Sequence, residues 1–159
     1  MKEVPHITIL YGTESGNAEM AADDFAAAAQ ADGLQAEVVS MADFEVSQLA
    51  ALEVLVLITS TYGDGEMPET TLPFYEKLRQ LAPALAGLRF VAFGLGDSTY
   101  ENYNRAIDEL ALKLCAFGAQ QLGETGRHDA ARGQSVSDAI GAWSATVLPL
   151  LASREVCHA

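Results

Sequence analysis

Basic residues are scarce in this chain. Nine lysines and arginines face 22 aspartates and glutamates, a formal net charge of −13. Such a surface repels phosphate backbones, which argues against a nucleic-acid partner. It suits either plain solubility or a basic protein partner found by electrostatic steering. Long hydrophobic runs are missing as well: none approaches the ~20 apolar residues that a membrane helix needs. Met1-Lys2-Glu3-Val4-Pro5 lacks the charged start and apolar core of a signal peptide, so the expected location is the cytoplasm. There are only two cysteines, Cys115 and Cys157, without metal or redox spacing, and nothing in them demands an oxidising compartment. His6, His128 and His158 lack ligand spacing, so no metal is expected. Half of the 159 residues are apolar, enough for one domain with a substantial core, expected over residues 1–159.

Apolar runs and helical runs alternate along the chain. Strands are expected at HITILYG (6–12), LQAEVVS (34–40), LEVLVLITS (52–60), LRFVAFGLG (88–96) and, more weakly, AQQLGET (119–125). The third reads as a continuous apolar run, as in a central parallel strand buried on both faces, and the fourth as the next buried strand. Helices are expected over 16–31, stopped by Gly33, and over 70–81, 103–117 and 134–152, with Pro149 kinking or fraying the last. A short helical turn or two fits 43–50. Five strand–helix alternations favour a doubly wound α/β fold: a parallel sheet with helices on both faces. Ligands of such sheets sit beyond the carboxyl ends of the strands. The polar loops GTESGN, STYGDGEMPET and GLGDSTYENYN follow strands one, three and four, so they would converge there.

The first loop poses a chemical question, because it has no cation. Gly12-Thr13-Glu14-Ser15-Gly16-Asn17 links a strand to a helix start, where free backbone N–H groups and a partial positive charge attract anions. Thr13, Ser15 and Asn17 add neutral donors, so a phosphate could be held without lysine or arginine. A helix-capping turn, with Ser15 as the cap and Glu19 nearby, explains the same residues. A Walker loop is excluded, since Asn17-Ala18 follows Gly16; a dinucleotide fingerprint lacks its third glycine. The third strand ends in Thr59-Ser60-Thr61 rather than in the aspartate of a receiver domain. The other two loops carry Tyr62, Tyr100 and Tyr103 among glycines, where stacking on a flat ring would account for exposed aromatics.

With these three motifs in this order, the chain resembles a flavodoxin. It is closely similar to the FMN-binding module of diflavin reductases (of sulfite-reductase and cytochrome P450-reductase type) and to stand-alone MioC-type flavodoxins. The resemblance covers nearly the whole chain. It implies a five-stranded sheet of order 2-1-3-4-5 and one FMN. It also implies that Thr13, Glu14 through its backbone, Ser15, Gly16, Asn17 and Ala18 surround the phosphate. Ser60, Thr61, Tyr62, Gly63 and Gly65 would form the first ring loop, with Tyr62 and Tyr100 on opposite ring faces and the Gly63 peptide meeting flavin N5. Gly94, Leu95, Gly96, Asp97, Asn102, Tyr103 and Asn104 would line the second. Asp129 would reach the ring edge, although segment 124–133 departs most from the pattern.

The implied function is electron transfer. The three loop spans 11–20, 60–70 and 94–104 hold Glu14, Glu19, Asp64, Glu66, Glu69, Asp97 and Glu101 and no basic residue. Negative charge there disfavours the reduced, anionic ring and makes FMN a stronger reductant. The same charge suits docking, as a monomer, onto basic patches of a flavodoxin/ferredoxin-type reductase and then of an acceptor redox protein. With no room for an NADPH domain in 159 residues, reduction is expected from another protein. The reading is a carrier without a substrate of its own. The alternatives are a flavin-dependent NAD(P)H:quinone reductase on the same fold, and a cofactor-free adaptor.

Overall fold

The computed structural model describes residues 6–12, 16–60, 70–96, 105–133 and 135–152. Strand β1 (His6–Gly12) leads to helix α1 (Asn17–Ala31), then β2 (Gln35–Ser40) and two short 3-10 turns, Met41–Asp43 and Val46–Ala51. Strand β3 (Val54–Ser60) is followed by α2 (Thr71–Leu81), β4 (Arg89–Gly96) and α3 (Arg105–Ala116). Two short strands, β5 (Gln120–Gln121) and β6 (Gly126–Asp129), precede a 3-10 turn, Ala130–Arg132, and the last helix, α4 (Val136–Ala152). All pairings are parallel, in the order β2-β1-β3-β4-β5, with β6 also on β4.

The sheet is apolar on both faces because its inner strands are. Ile7, Ile9, Val54, Val56, Ile58, Val91, Phe93 and Leu95 point to the face covered by α1 and α4. Leu10, Leu55, Leu57, Phe90 and Ala92 point to the face covered by α2 and α3. Period two along a strand distributes one unbroken apolar run between two cores. Helix α1 presents Ala18, Ala21, Ala22, Ala26 and Ala29 to the sheet, so it lies close, with Phe25 the one large buried group. Phe25 and Phe93 flank Trp143 of α4, with ring centroids 5.3 and 5.1 Å away. Helices α1 and α3 close alike: Leu34 N–H reaches Ala29 O and Ala119 N–H reaches Leu114 O, with Gly33 and Gly118 at positive φ.

The expected strand order stands, but the fifth strand is not continuous. Four residues, 122–125, stand opposite only two of β4, 91–92, between the pairs Phe90↔Gln121 and Phe93↔Gly126. Leu122 turns into the core at 4% exposure, Gly123 takes φ +68, and Gln121 Nε2 donates to Thr125 Oγ1 at 2.9 Å across the excursion. Pairing therefore resumes on 126–129, beyond the expected 119–125. Helix α4 runs through Pro149 to Ala152, where the expected 134–152 helix ends. Its start is fixed by Ser135, whose Oγ accepts the Asp138 N–H at 3.0 Å. Among the described residues, no helix is long and apolar enough to cross a membrane.

Resumption at residue 126 demands a glycine. A Cβ there would lie 2.4 Å from Trp143 Cδ1 and 2.6 Å from Phe93 Cδ2. Gly126→Ala is expected to cost about 1–3 kcal/mol of stability through overpacking. Urea unfolding followed by fluorescence of Trp143, the chain's one tryptophan, checks this.

Candidate functional site

The parallel strands finish flush. Gly12 lies beside Thr59, Thr59 beside Gly94, and Gly94 beside Arg127; one step on, Ser60 faces Leu95 and Leu95 faces His128, and one further, Gly96 faces Asp129. The loops after β1, β3 and β4 leave this one rim, as the sequence implied. Of the expected site residues, Gly16, Asn17, Ala18, Ser60, Gly94, Leu95, Gly96 and Asp129 are described. Thr13, Glu14, Ser15, Thr61, Tyr62, Gly63, Gly65, Asp97, Tyr100, Asn102, Tyr103 and Asn104 lie outside the described residues.

At the first loop, the cap position of α1 falls on Gly16, in left-handed conformation at φ +90, and not on Ser15. Glycine has no side chain with which to cap the helix. The first intrahelical bond runs from Met20 N–H to Gly16 O at 3.1 Å, so the N–H groups of Asn17, Ala18 and Glu19 precede the helical ladder. Neutral donors at a helix start match the chemistry of a phosphate.

The arginines near this rim are paired with carboxylates. Arg127 holds Asp108 with two nitrogens, at 2.7 and 3.3 Å; Arg132 Nε is 3.4 Å from Asp129 Oδ2; Arg105 Nε is 3.5 Å from Glu109. Asp129 is buried, and its Oδ1 also accepts the Ala131 N–H at 3.0 Å. Its carboxylate thus shapes the turn after β6. The three loop spans do lack basic residues, and Arg132 adds a cation on a fourth segment of the same rim. Leu95 sends its side chain into the core, and Gly94 is buried within the sheet, which leaves their backbones to serve the rim.

Three residues that sequence reasoning passed over brace this region. Tyr11 stands beside Ser40 in the β1–β2 register, and its hydroxyl is hydrogen-bonded to Ser40 and to Glu19 in the first turn of α1. Burial, then the charge and hydrogen bond of Glu19, push its pKa above the usual 10; Asp23 adds to the rise and Ser40 opposes it. Thr59 and Thr71 are fully buried, with their hydroxyl oxygens 2.8 Å apart. Gly12 abuts this pair: a Cβ on it would overlap Thr71 Oγ1 and lie 3.0 Å from Met41 Sδ. Gly12 is therefore required by α2 behind it rather than by a ligand in front. The available signal was a threonine near the end of an otherwise aliphatic strand.

Comparison with known proteins agrees with this geometry. The flavodoxin family matches residues 9–143. The chain belongs to the flavodoxin family. It is 37% identical, over 122 residues, to the sulfite reductase [NADPH] flavoprotein alpha-component of Thiocapsa roseopersicina, covering 76% of this chain and 23% of that protein. It is 35% identical over 145 residues to the NADPH-dependent diflavin oxidoreductase 1 of Cryptococcus neoformans, covering 89% and 24%. The chain thus spans about a quarter of the length of these relatives. Among solved structures, a cysteine mutant of flavodoxin from Pseudomonas aeruginosa superposes with a TM-score of 0.84 at 28% identity, covering 93% of this chain and 99% of that one. Oxidised Flavodoxin 1 from Bacillus cereus gives 0.73 at 27%, covering 88% and 95%. The cofactor of this flavodoxin-family chain is FMN, and the start of α1, with a glycine at its cap position and neutral N–H donors, fits its phosphate.

The Tyr11 brace makes a pH prediction. A raised pKa favours the folded state while the phenol is neutral, so this stabilisation is complete below pH 10 and is lost as pH rises through the folded value. Tyr11→Phe should remove that alkaline loss from the pH–stability profile. The wild-type-minus-variant ultraviolet titration should show one tyrosine ionising later than free tyrosine.

Proposed function

We propose that this chain is an electron carrier: its FMN is reduced by a separate NAD(P)H-dependent reductase and oxidised by an acceptor protein. The observation that carries the proposal is the common rim. Three loops leave flush strand ends beside a helix start that offers neutral N–H donors and no cation. FMN, when bound, supplies the redox chemistry, taking up and releasing electrons one or two at a time.

The chain's residues bind, orient and tune. The turn from Thr13 to Ala18 holds the phosphate through backbone and hydroxyl donors. Tyr62 and Tyr100 provide aromatic faces for the ring, worth about 0.5–1.5 kcal/mol for a stacked pair beyond buried area. Gly63 would offer its peptide to flavin N5, where a side chain would oppose the required backbone turn. One added hydrogen bond there contributes roughly 0.5–1.5 kcal/mol. Asp97 and the backbone of its loop serve the ring or ribityl chain, and Asp129 shapes the neighbouring turn.

The acidic loops have two effects. They raise the energy of added negative charge on the ring, which favours giving electrons away. They also present a negative rim to a basic patch of the reductase, then of the acceptor, and steer both encounters. Acidic loops suit nicotinamide phosphates poorly, which favours the carrier over a quinone reductase. The relatives whose names include NADPH extend well beyond the portion shared with this chain, so their nicotinamide chemistry is not transferred to it.

The test combines colour and salt. The purified protein should carry one FMN by absorbance. Its reduction by a flavodoxin-type reductase should slow markedly as ionic strength rises, because screening weakens the docking. Salt-independent rates would remove the docking step, and a colourless protein would remove the carrier. Tyr100→Ala should weaken FMN binding by roughly two- to tenfold, the span set by one lost stacking contact; fluorescence titration reads it.

A further inference from the structure

Thr59 and Thr71 make more than a packing contact. Thr59 Oγ1 lies 2.8 Å from Thr71 Oγ1 and donates to the carbonyl of Ser60 at 3.2 Å. A hydroxyl has a single hydrogen. With that of Thr59 engaged on Ser60, Thr71 must be the donor within the pair. The order is then fixed: Thr71 O–H to Thr59 Oγ1, and Thr59 O–H to Ser60 O. The relay starts on the first residue of α2 and ends on the last carbonyl of β3. Those residues bracket the whole first ring loop, 61–69.

The relay also touches the phosphate side. Thr59 is the register neighbour of Gly12, the last residue of β1, and Gly12 is packed against Thr71 so closely that no Cβ fits. One buried junction therefore joins the strand end that enters the phosphate turn to both ends of the ring loop. Filling the space does not explain the hydroxyls, since valine has nearly the same shape. Burying two hydroxyls is unfavourable unless they are hydrogen-bonded, and here the bonds fix the direction of one peptide carbonyl.

We propose that Thr59 and Thr71 are positioning residues for the cofactor. Their relay holds the Ser60 carbonyl, and with it the departure of the ring loop, in fixed relation to the phosphate turn, so the pair sets both FMN affinity and flavin potential. This rests on the reading of the rim as the FMN site. Neither residue touches the ring in this account; each acts through the loop it anchors.

The double variant T59V/T71V tests it, because replacing both partners by apolar groups of the same shape leaves no buried hydroxyl unpaired and is nearly neutral for stability. FMN affinity by fluorescence quenching, both one-electron potentials by anaerobic titration, and thermal unfolding are measured on wild type, the double variant, Thr71→Val and Thr59→Ser. The expected result is a roughly two- to tenfold loss of FMN affinity in the double variant, the loss corresponding to one hydrogen bond, with a changed separation of the two potentials. Thr71→Val, which leaves the bond from Thr59 to Ser60, should lie between the double variant and wild type. Thr59→Ser, which keeps the hydroxyl, should restore wild-type values. Wild-type affinity and potentials in both valine variants, whatever their melting temperatures, would overturn the proposal while the FMN site stands. Failure of the wild type to bind FMN would overturn the site itself.

Discussion

A parallel sheet that is apolar on both faces has only its ends to offer to polar chemistry. Here the inner strands bury Ile7, Leu10, Leu55, Ile58, Phe90 and Phe93 completely or nearly so, and helices cover both sides. Backbone groups within the sheet are paired by the ladder. At the strand ends that pairing stops, and so does the apolar pattern. Gly12, Ser60 and Gly96 mark where it stops on three strands. The position of the site follows from how the core is built.

That constraint also bears on how an anion would be accommodated by a chain so poor in cations. The first turn of α1 supplies donors that no helical carbonyl can use, and Gly16 at the cap position has no side chain to cap them. The nearby arginines are drawn to carboxylates: Arg105 to Glu109, Arg127 to Asp108, Arg132 to Asp129. A site built on peptide dipoles keeps its surroundings negative, the electrostatic setting that suits an electron donor meeting a basic partner. The braces behind the site use no cation either: the Tyr11 phenol against Ser40 and the Glu19 carboxylate, and the two threonine hydroxyls.

The sequence revealed these features unevenly. Strands β1, β3 and β4 were legible because a largely apolar run ending in glycine or serine has few other uses. Gly33 and Gly118 marked helix ends where left-handed residues stand in the fold. The divided fifth strand was less visible, because AQQLGET has weak strand character and its pairing depends on Leu122 finding the core and on Gly126 clearing Trp143. Asp129 was legible as a rim residue but not as the partner of Ala131 N–H and Arg132, which only folding brings about. The Thr59–Thr71 bond spans twelve residues of chain and joins a strand to a helix; no local pattern announces it. Membership of the flavodoxin family rests on motifs in order, and the braces rest on packing that motifs do not encode.

If backbone donors, without a basic side chain, hold the phosphate of FMN, affinity must depend on that phosphate. The most direct measurement is a pair of titrations of the apoprotein, one with FMN and one with riboflavin, which has the same ring and ribityl chain but no phosphate. The account predicts one-to-one quenching by FMN, far weaker binding of riboflavin, and a preference for FMN that persists at high salt because it resides in short hydrogen bonds rather than in long-range attraction. Equal affinity for the two flavins would contradict it.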